Sequence, residues 1–188
     1  MNRLIPIHGV EDIPASYRNG PIGALLKYHD LNEPLPPRSP RPELLIGMCM
    51  DSRKHLRIPD NFAFILRTGG ANLRQSEFRV SYALAVGGVR AIAVVGHTNC
   101  GMSGLAARRE DFVRGLMETG WERPEAEEHF DRFLPTHEIG AEIDFVVSEA
   151  KRLRALYPKV AVAPMIYQVE DNRICAVREA PDPAPVQE

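Results

Sequence analysis

At 188 residues the chain is long enough to bury a core as one domain, and its formal net charge of -2 gives it no general attraction to nucleic acid or to an anionic membrane. It contains no apolar run of the length, about 18 residues or more, that a bilayer-spanning helix requires. Three cysteines are an odd number, which argues against a disulfide framework and leaves metal binding, catalysis or simple burial as their uses.

In chain order, Pro6 and His8 break the first apolar residues before a signal-peptide core can form, so a cytoplasmic protein is expected. A short helix is predicted over Ile22–Tyr28. Glu33 to Pro42 carries five prolines and reads as an extended, partly polyproline linker, since proline fixes φ and removes a backbone donor. Residues 1–43 therefore read as an N-terminal arm and linker that lies over something else. Leu44–Cys49 is a continuous apolar run, the mark of a buried parallel strand. Phe62–Leu66 is a second strand. Phe78–Val86 has helical spacing and stops at Gly87-Gly88.

Ala91–Val95 is a third strand, and Gly101–Met117 and Pro124–Phe133 are helices. Ile139, Ile143, Val146, Val147, Ala150 and Leu153 mark one face of a long helix that stops before Pro158. A strand interrupted by Pro164 follows, then a turn at Asp171-Asn172 and a returning antiparallel strand at Ile174–Val177. Ala180–Pro185 is a frayed tail. Strands alternating with helices predict an α/β fold: an open, mainly parallel sheet of about four strands plus an antiparallel edge strand, flanked by helices. The expected division is 1–43 arm and linker, 44–178 α/β domain, and 179–188 disordered tail.

Two of these strands end in the residues that carry chemistry. The first closes on Cys49-Met50-Asp51-Ser52-Arg53, the third on His97-Thr98-Asn99-Cys100-Gly101. Ligands of open α/β sheets sit at the carboxyl ends of the strands, so both clusters fall where one shared site belongs. Cys49, His97 and Cys100 supply two thiolates and an imidazole, a donor set suited to zinc, and three protein ligands leave the fourth tetrahedral position open for chemistry. Cys100 is expected in the first turn of the following helix, where the dipole favours a thiolate.

Asp51 falls on the same side as Cys49 if the extended backbone continues, and Arg53 can hold its carboxylate in a bidentate pair. Two thiolates cancel the charge of the zinc, so a bound water is harder to ionise than at a three-histidine site and needs an acceptor such as Asp51. The competing reading of Asp51–Arg53 is a merely structural ion pair. Cys175 reads as a buried small hydrophobe and His55 as a solvated histidine.

The sequence resembles the β-class carbonic anhydrases. The resemblance rests on Cys49-Met50-Asp51-Ser52-Arg53, on Leu66-Arg67-Thr68-Gly69-Gly70, on Gly96 to Met102 and on Ile166-Tyr167-Gln168-Val169, and spans roughly residues 44–178. It implies one zinc per chain held by Cys49, His97 and Cys100, a carboxylate–guanidinium dyad at Asp51 and Arg53, a homodimeric building block, and reversible hydration of carbon dioxide to bicarbonate by a metal-bound hydroxide. The chain departs from the family pattern at Thr68 and Asn99. The same fold and ligands also serve hydrolases of carbonyl sulfide and carbon disulfide, which stands as the second reading. A non-catalytic zinc-binding structural or regulatory protein is the third.

Overall fold

The fold is taken from a computed structural model that describes residues 3–35 and 41–179. The centre of the linker and the tail from residue 180 onward, both singled out above, lie outside the described residues. Six strands form one sheet in the order β1-β6-β5-β4-β2-β3. The strands are β1 (Leu4–Pro6), β2 (Leu44–Cys49), β3 (Ala63–Thr68), β4 (Ala91–His97), β5 (Ala161–Gln168) and β6 (Arg173–Val177). β3, β2, β4 and β5 run parallel, whereas β6 and β1 are antiparallel to their neighbours. The five α-helices are α1 (Pro21–Asp30), α2 (Glu77–Ala85), α3 (Arg109–Glu118), α4 (Arg123–His137) and α5 (Glu142–Leu156).

The two central strands are apolar throughout because both faces are covered. Every residue of β2 and of β4 is buried. Alternation along each strand sends Leu44, Ile46, Met48, Ala91, Ala93 and Val95 to one face, where Ile22, Leu25 and Leu26 of α1 meet them. Leu45, Ile92 and Val94 point to the other, against Val80 and Ala83 of α2 and Val146, Val147, Ala150 and Leu153 of α5. Fully burying a side chain of the size of Leu or Ile contributes roughly 1.5–3 kcal/mol, so α1 is an integral part of the domain's stability. A charged group sunk in this layer is satisfied: Glu149 accepts the Leu73 backbone N–H at 3.2 Å and bonds from Arg152 Nη2 at 2.8 Å and Nε at 2.9 Å. That tie fixes the turns after β3 onto α5.

Three features differ from the reading of the sequence. The N-terminal arm does not merely lie over the domain: Leu4–Pro6 pairs with β6, and Ile7, Ile13, Leu25 and Leu26 are completely buried on the chain's own sheet. β5 runs unbroken through Pro164, because its ladder to β6 starts only at Met165, so the missing donor lies outside that pairing. Residues 101–104 are turns rather than helix, followed by a short 3-10 turn at Leu105–Arg108, and α3 begins at Arg109. Left-handed backbone at Asn99 (φ 54) and Gly104 (φ 65) interrupts any helix there.

Gly96 is the closest approach between sheet and helix near the end of β4. A Cβ there would lie 2.7 Å from Val146 Cγ1 and 3.1 Å from Ile166 Cδ1. Gly96→Val should therefore force α5 off β4 and lower the urea midpoint, by an amount equivalent to about 1–3 kcal/mol for overpacking of this kind.

Candidate metal centre

The carboxyl ends of β2 and β4 lie side by side in the sheet, which brings Cys49 and His97 together although they are far apart in sequence. Left-handed Asn99 then turns the chain back, so that Cys100 returns to the same point. The sulfur and ring-nitrogen donors of Cys49, His97 and Cys100 all lie within 4.8 Å of one another, and all three residues are buried. Cys100 thus reaches the site from a turn and not from a helix terminus, which corrects the expectation of a helix dipole at this thiol. Its backbone N–H is taken instead by Glu142 Oε1 at 3.2 Å, at the start of α5.

The three donors fit zinc. The two sulfurs are 4.0 Å apart, close to the roughly 3.8 Å that tetrahedral geometry with Zn–S bonds near 2.3 Å requires, and far too long for a disulfide. The His97 ring is fixed by its neighbour: Nδ1 lies 2.9 Å from the Thr98 carbonyl, which can only accept, so the proton belongs on Nδ1. That leaves the Nε2 lone pair facing the sulfurs, buried and without a hydrogen-bond partner. A buried imidazole nitrogen without a hydrogen-bond partner, beside two thiols, suits a borderline metal.

The electrostatics favour a thiolate here. The hydrogen bond from the Cys100 thiol pulls the Cys49 pKa down, assisted by the backbone amides of Asp51 and Gly70, and these outweigh the opposing effect of burial. The Gly70 amide reaches Cys49 Sγ at 3.3 Å. Sharing with Cys49 pushes Cys100 up in turn. Cys175 is remote from the pair, donates to Gln168 Oε1 at 3.1 Å, and is pushed up to about 11 by burial, as suits a thiol with a packing role.

Beside the donors stands the carboxylate–guanidinium pair. Asp51 Oδ2 lies 3.9 Å from His97 Nε2. Its two oxygens are held by Arg53: Nη2 to Oδ2 at 2.8 Å, Nε to Oδ1 at 3.0 Å, and the Arg53 backbone N–H to Oδ1 at 2.9 Å. These bonds hold the Asp51 carboxyl well below the usual carboxylate range. Arg53 Nη2 also donates to the Asn99 carbonyl at 2.9 Å, which ties the dyad to the turn that carries Cys100.

The sequence reading passed over Lys54. It is only 2% exposed, its Nζ donates to the Cys49 carbonyl at 2.9 Å, and burial lowers its pKa to about 8. A lysine following a charged motif carries no signal of burial, so nothing short of the fold reveals it. His55 is exposed, as expected of a solvated histidine.

A parallel sheet thus gathers two thiols and an imidazole at its strand ends, a donor set that could hold zinc, with an ion-paired carboxylate beside them. The sequence profile described as carbonic anhydrase matches residues 44–174, from the first residue of β2 into β6. The chain belongs to the carbonic anhydrase family, and its mixed sheet flanked by helices is the fold of the β class.

Solved structures agree in fold. The β-carbonic anhydrase isoform I of Trichomonas vaginalis superposes with a TM-score of 0.61 at 16% identity, over 81% of this chain and 93% of its own. Carbonic anhydrase from Streptococcus mutans gives 0.57 at 24% identity, over 84% of this chain and 95% of its own. The apo form of a carbon disulfide hydrolase gives 0.54 at 21% identity, over 74% and 80%. A search of curated protein sequences finds no match. No helix among the described residues is long and apolar enough to cross a membrane.

Proposed function

We propose that the chain catalyses the reversible hydration of carbon dioxide to bicarbonate, with Cys49, His97 and Cys100 holding one zinc and Asp51 and Arg53 orienting the attacking water. The observation that carries this reading is the placement of Asp51 Oδ2, 3.9 Å from the free His97 nitrogen and locked to Arg53. Zinc bound by these donors lowers the pKa of a coordinated water and so supplies the nucleophile at accessible pH. The rest falls to the chain itself. Asp51 stays ionised because Arg53 occupies it, so it acts as a hydrogen-bond acceptor that aims an oxygen lone pair at the substrate carbon. Arg53 also keeps the carboxylate turned away from the open ligand position. A site meant only to hold structural zinc needs the three donors but no such dyad.

The hydrolase reading keeps one specific support: a carbon disulfide hydrolase shares this sheet. The deciding experiment is side-by-side turnover of carbon dioxide and carbonyl sulfide by the same zinc-loaded preparation. Faster turnover of carbon dioxide is expected, and a preference for carbonyl sulfide would hand the site to the hydrolase.

The chain acts as a homodimer or a multiple of one in this reading, and in the cytoplasm, where reducing conditions keep the three free cysteines as thiols. The outer strand gives a structural reason for a partner. β3 ends the sheet, its Phe64 and Ile65 are exposed, and beside it Phe78 on α2 is 82% exposed. A second copy related by a two-fold axis covers such an unpaired, apolar edge. Light scattering should give at least twice 21.0 kDa, and Phe78→Glu should shift it towards the monomer.

A further inference from the structure

We infer that Glu170, in the turn between β5 and β6, is a positioning residue for the Asp51–Arg53 dyad, acting through the Thr98–Asn99 turn. Its two carboxylate oxygens make two different bonds to that turn. Glu170 Oε2 accepts the Thr98 hydroxyl at 2.8 Å and Oε1 accepts the Asn99 side-chain amide at 2.8 Å. The Thr98 hydroxyl in turn accepts the Val169 backbone N–H at 3.1 Å, and the Thr98 N–H donates to the Tyr167 carbonyl at 3.1 Å. The end of β5 therefore grips residues 98 and 99 at several points.

What the grip holds is a strained residue with a specific task. Asn99 has φ 54, in the left-handed region that asparagine adopts more readily than most residues, and its side-chain amide is anchored to Glu170. That conformation directs the Asn99 carbonyl at Arg53 Nη2, 2.9 Å away. The same Nη2 donates to Asp51 Oδ2 at 2.8 Å. A continuous chain of contacts thus runs from Glu170 through Asn99 and Arg53 to the carboxylate that faces the metal donors. Arg53 lies on an irregular segment and its side chain is half exposed, so Asp51 alone does not fix the guanidinium. The Asn99 carbonyl is the second point that does, and Glu170 determines where that carbonyl stands.

The contact also depends on the residue type at position 99. An amide donates a hydrogen bond to Glu170 that an ionised aspartate at the same place could not. Glu170 and Asn99 thereby form a matched acceptor and donor.

The inference rests on the proposed role of the dyad, and the test separates the two. Glu170→Ala, Glu170→Gln, Asp51→Ala and the Glu170→Ala/Asp51→Ala double variant are compared for kcat, KM and zinc content. Loss of an outer hydrogen-bond partner typically costs roughly ten- to hundredfold in activity. Glu170→Ala should lose that much in kcat, with KM nearly unchanged and zinc at the native level. Glu170→Gln keeps one acceptor oxygen and should fall between Ala and the native chain. In the Asp51→Ala background the Glu170 change should add almost nothing, because the group it positions is gone.

Additive effects in the double variant, native kcat in Glu170→Ala, or loss of zinc from it would each overturn the positioning role. Native kcat in Asp51→Ala would instead overturn the reading of the dyad on which the inference stands.

Discussion

Asp51→Ala should retain its zinc and lose on the order of a hundredfold or more in turnover, the usual cost of removing one preorganised polar contact to a reacting oxygen. Zinc is retained because Asp51 is not among the three buried donors; its carboxylate is fully engaged by Arg53. Turnover falls because the carboxylate that Arg53 holds beside the donors is gone. Arg53→Ala should be impaired as well, by a different route. The freed carboxylate stands 3.9 Å from His97 Nε2 and can swing into the open ligand position. Stopped-flow kcat with zinc content measured alongside distinguishes the two defects.

The dyad also fixes a feature of the pH profile. Arg53 depresses the Asp51 pKa in the folded state. A depressed carboxylate pKa contributes stability that is present above the unfolded value, about 3.9, and is lost as pH falls from there through the folded value. Asp51 therefore stays ionised across the working range, and any change of kcat near neutrality or above must arise from another group. A native-like kcat in Asp51→Ala at every pH would reduce the pair to a structural ion pair and favour the non-catalytic reading.

Cys100→Ser should lose most of its zinc on dialysis and fall to the uncatalysed rate of hydration. A serine hydroxyl is not ionised at neutral pH and is a far poorer ligand than a thiolate, so a three-donor site becomes a two-donor one. The fold should survive. Cys100 lies in a turn outside the sheet, and the cluster it joins with Cys49, Ile139 and Phe145 is a small satellite of the two main cores. Elemental analysis with circular dichroism checks both halves, and full zinc content in a folded Cys100→Ser protein would displace Cys100 from the ligand set.

Much of this was legible in the sequence because the strands that matter are central. β2 and β4 are covered on both faces, so their apolar runs stand out and their ends mark where the candidate donors lie. The same logic failed at the edges. Leu4–Pro6 is three residues of half-buried strand with a proline, too short to carry a period, and only its pairing with β6 makes it a strand. Pro164 looked like a break because proline removes a donor; the register of β5 against β6 is what makes that loss harmless.

At the site, Cys49, His97 and Cys100 stand out in the sequence as a candidate donor set, and the structure brings them together with Asp51 and Arg53 beside them. Lys54 and Glu170 do not stand out in the sequence. Their positions depend on a buried carbonyl and on a turn more than 70 residues away in sequence from the residues it holds. The helix expected at Gly101 failed for a related reason. Left-handed Asn99, whose carbonyl holds Arg53, and left-handed Gly104 override local helix propensity.

The most direct test of the central claim is reconstitution. Protein stripped of metal with a chelator is titrated with zinc, and the initial rate of carbon dioxide hydration is followed by stopped flow at each step. The rate should rise in proportion to bound zinc and level off at about one zinc per chain, as a single site of three protein donors demands. Hydration by the metal-free protein at the plateau rate, or none at full zinc occupancy, would contradict it.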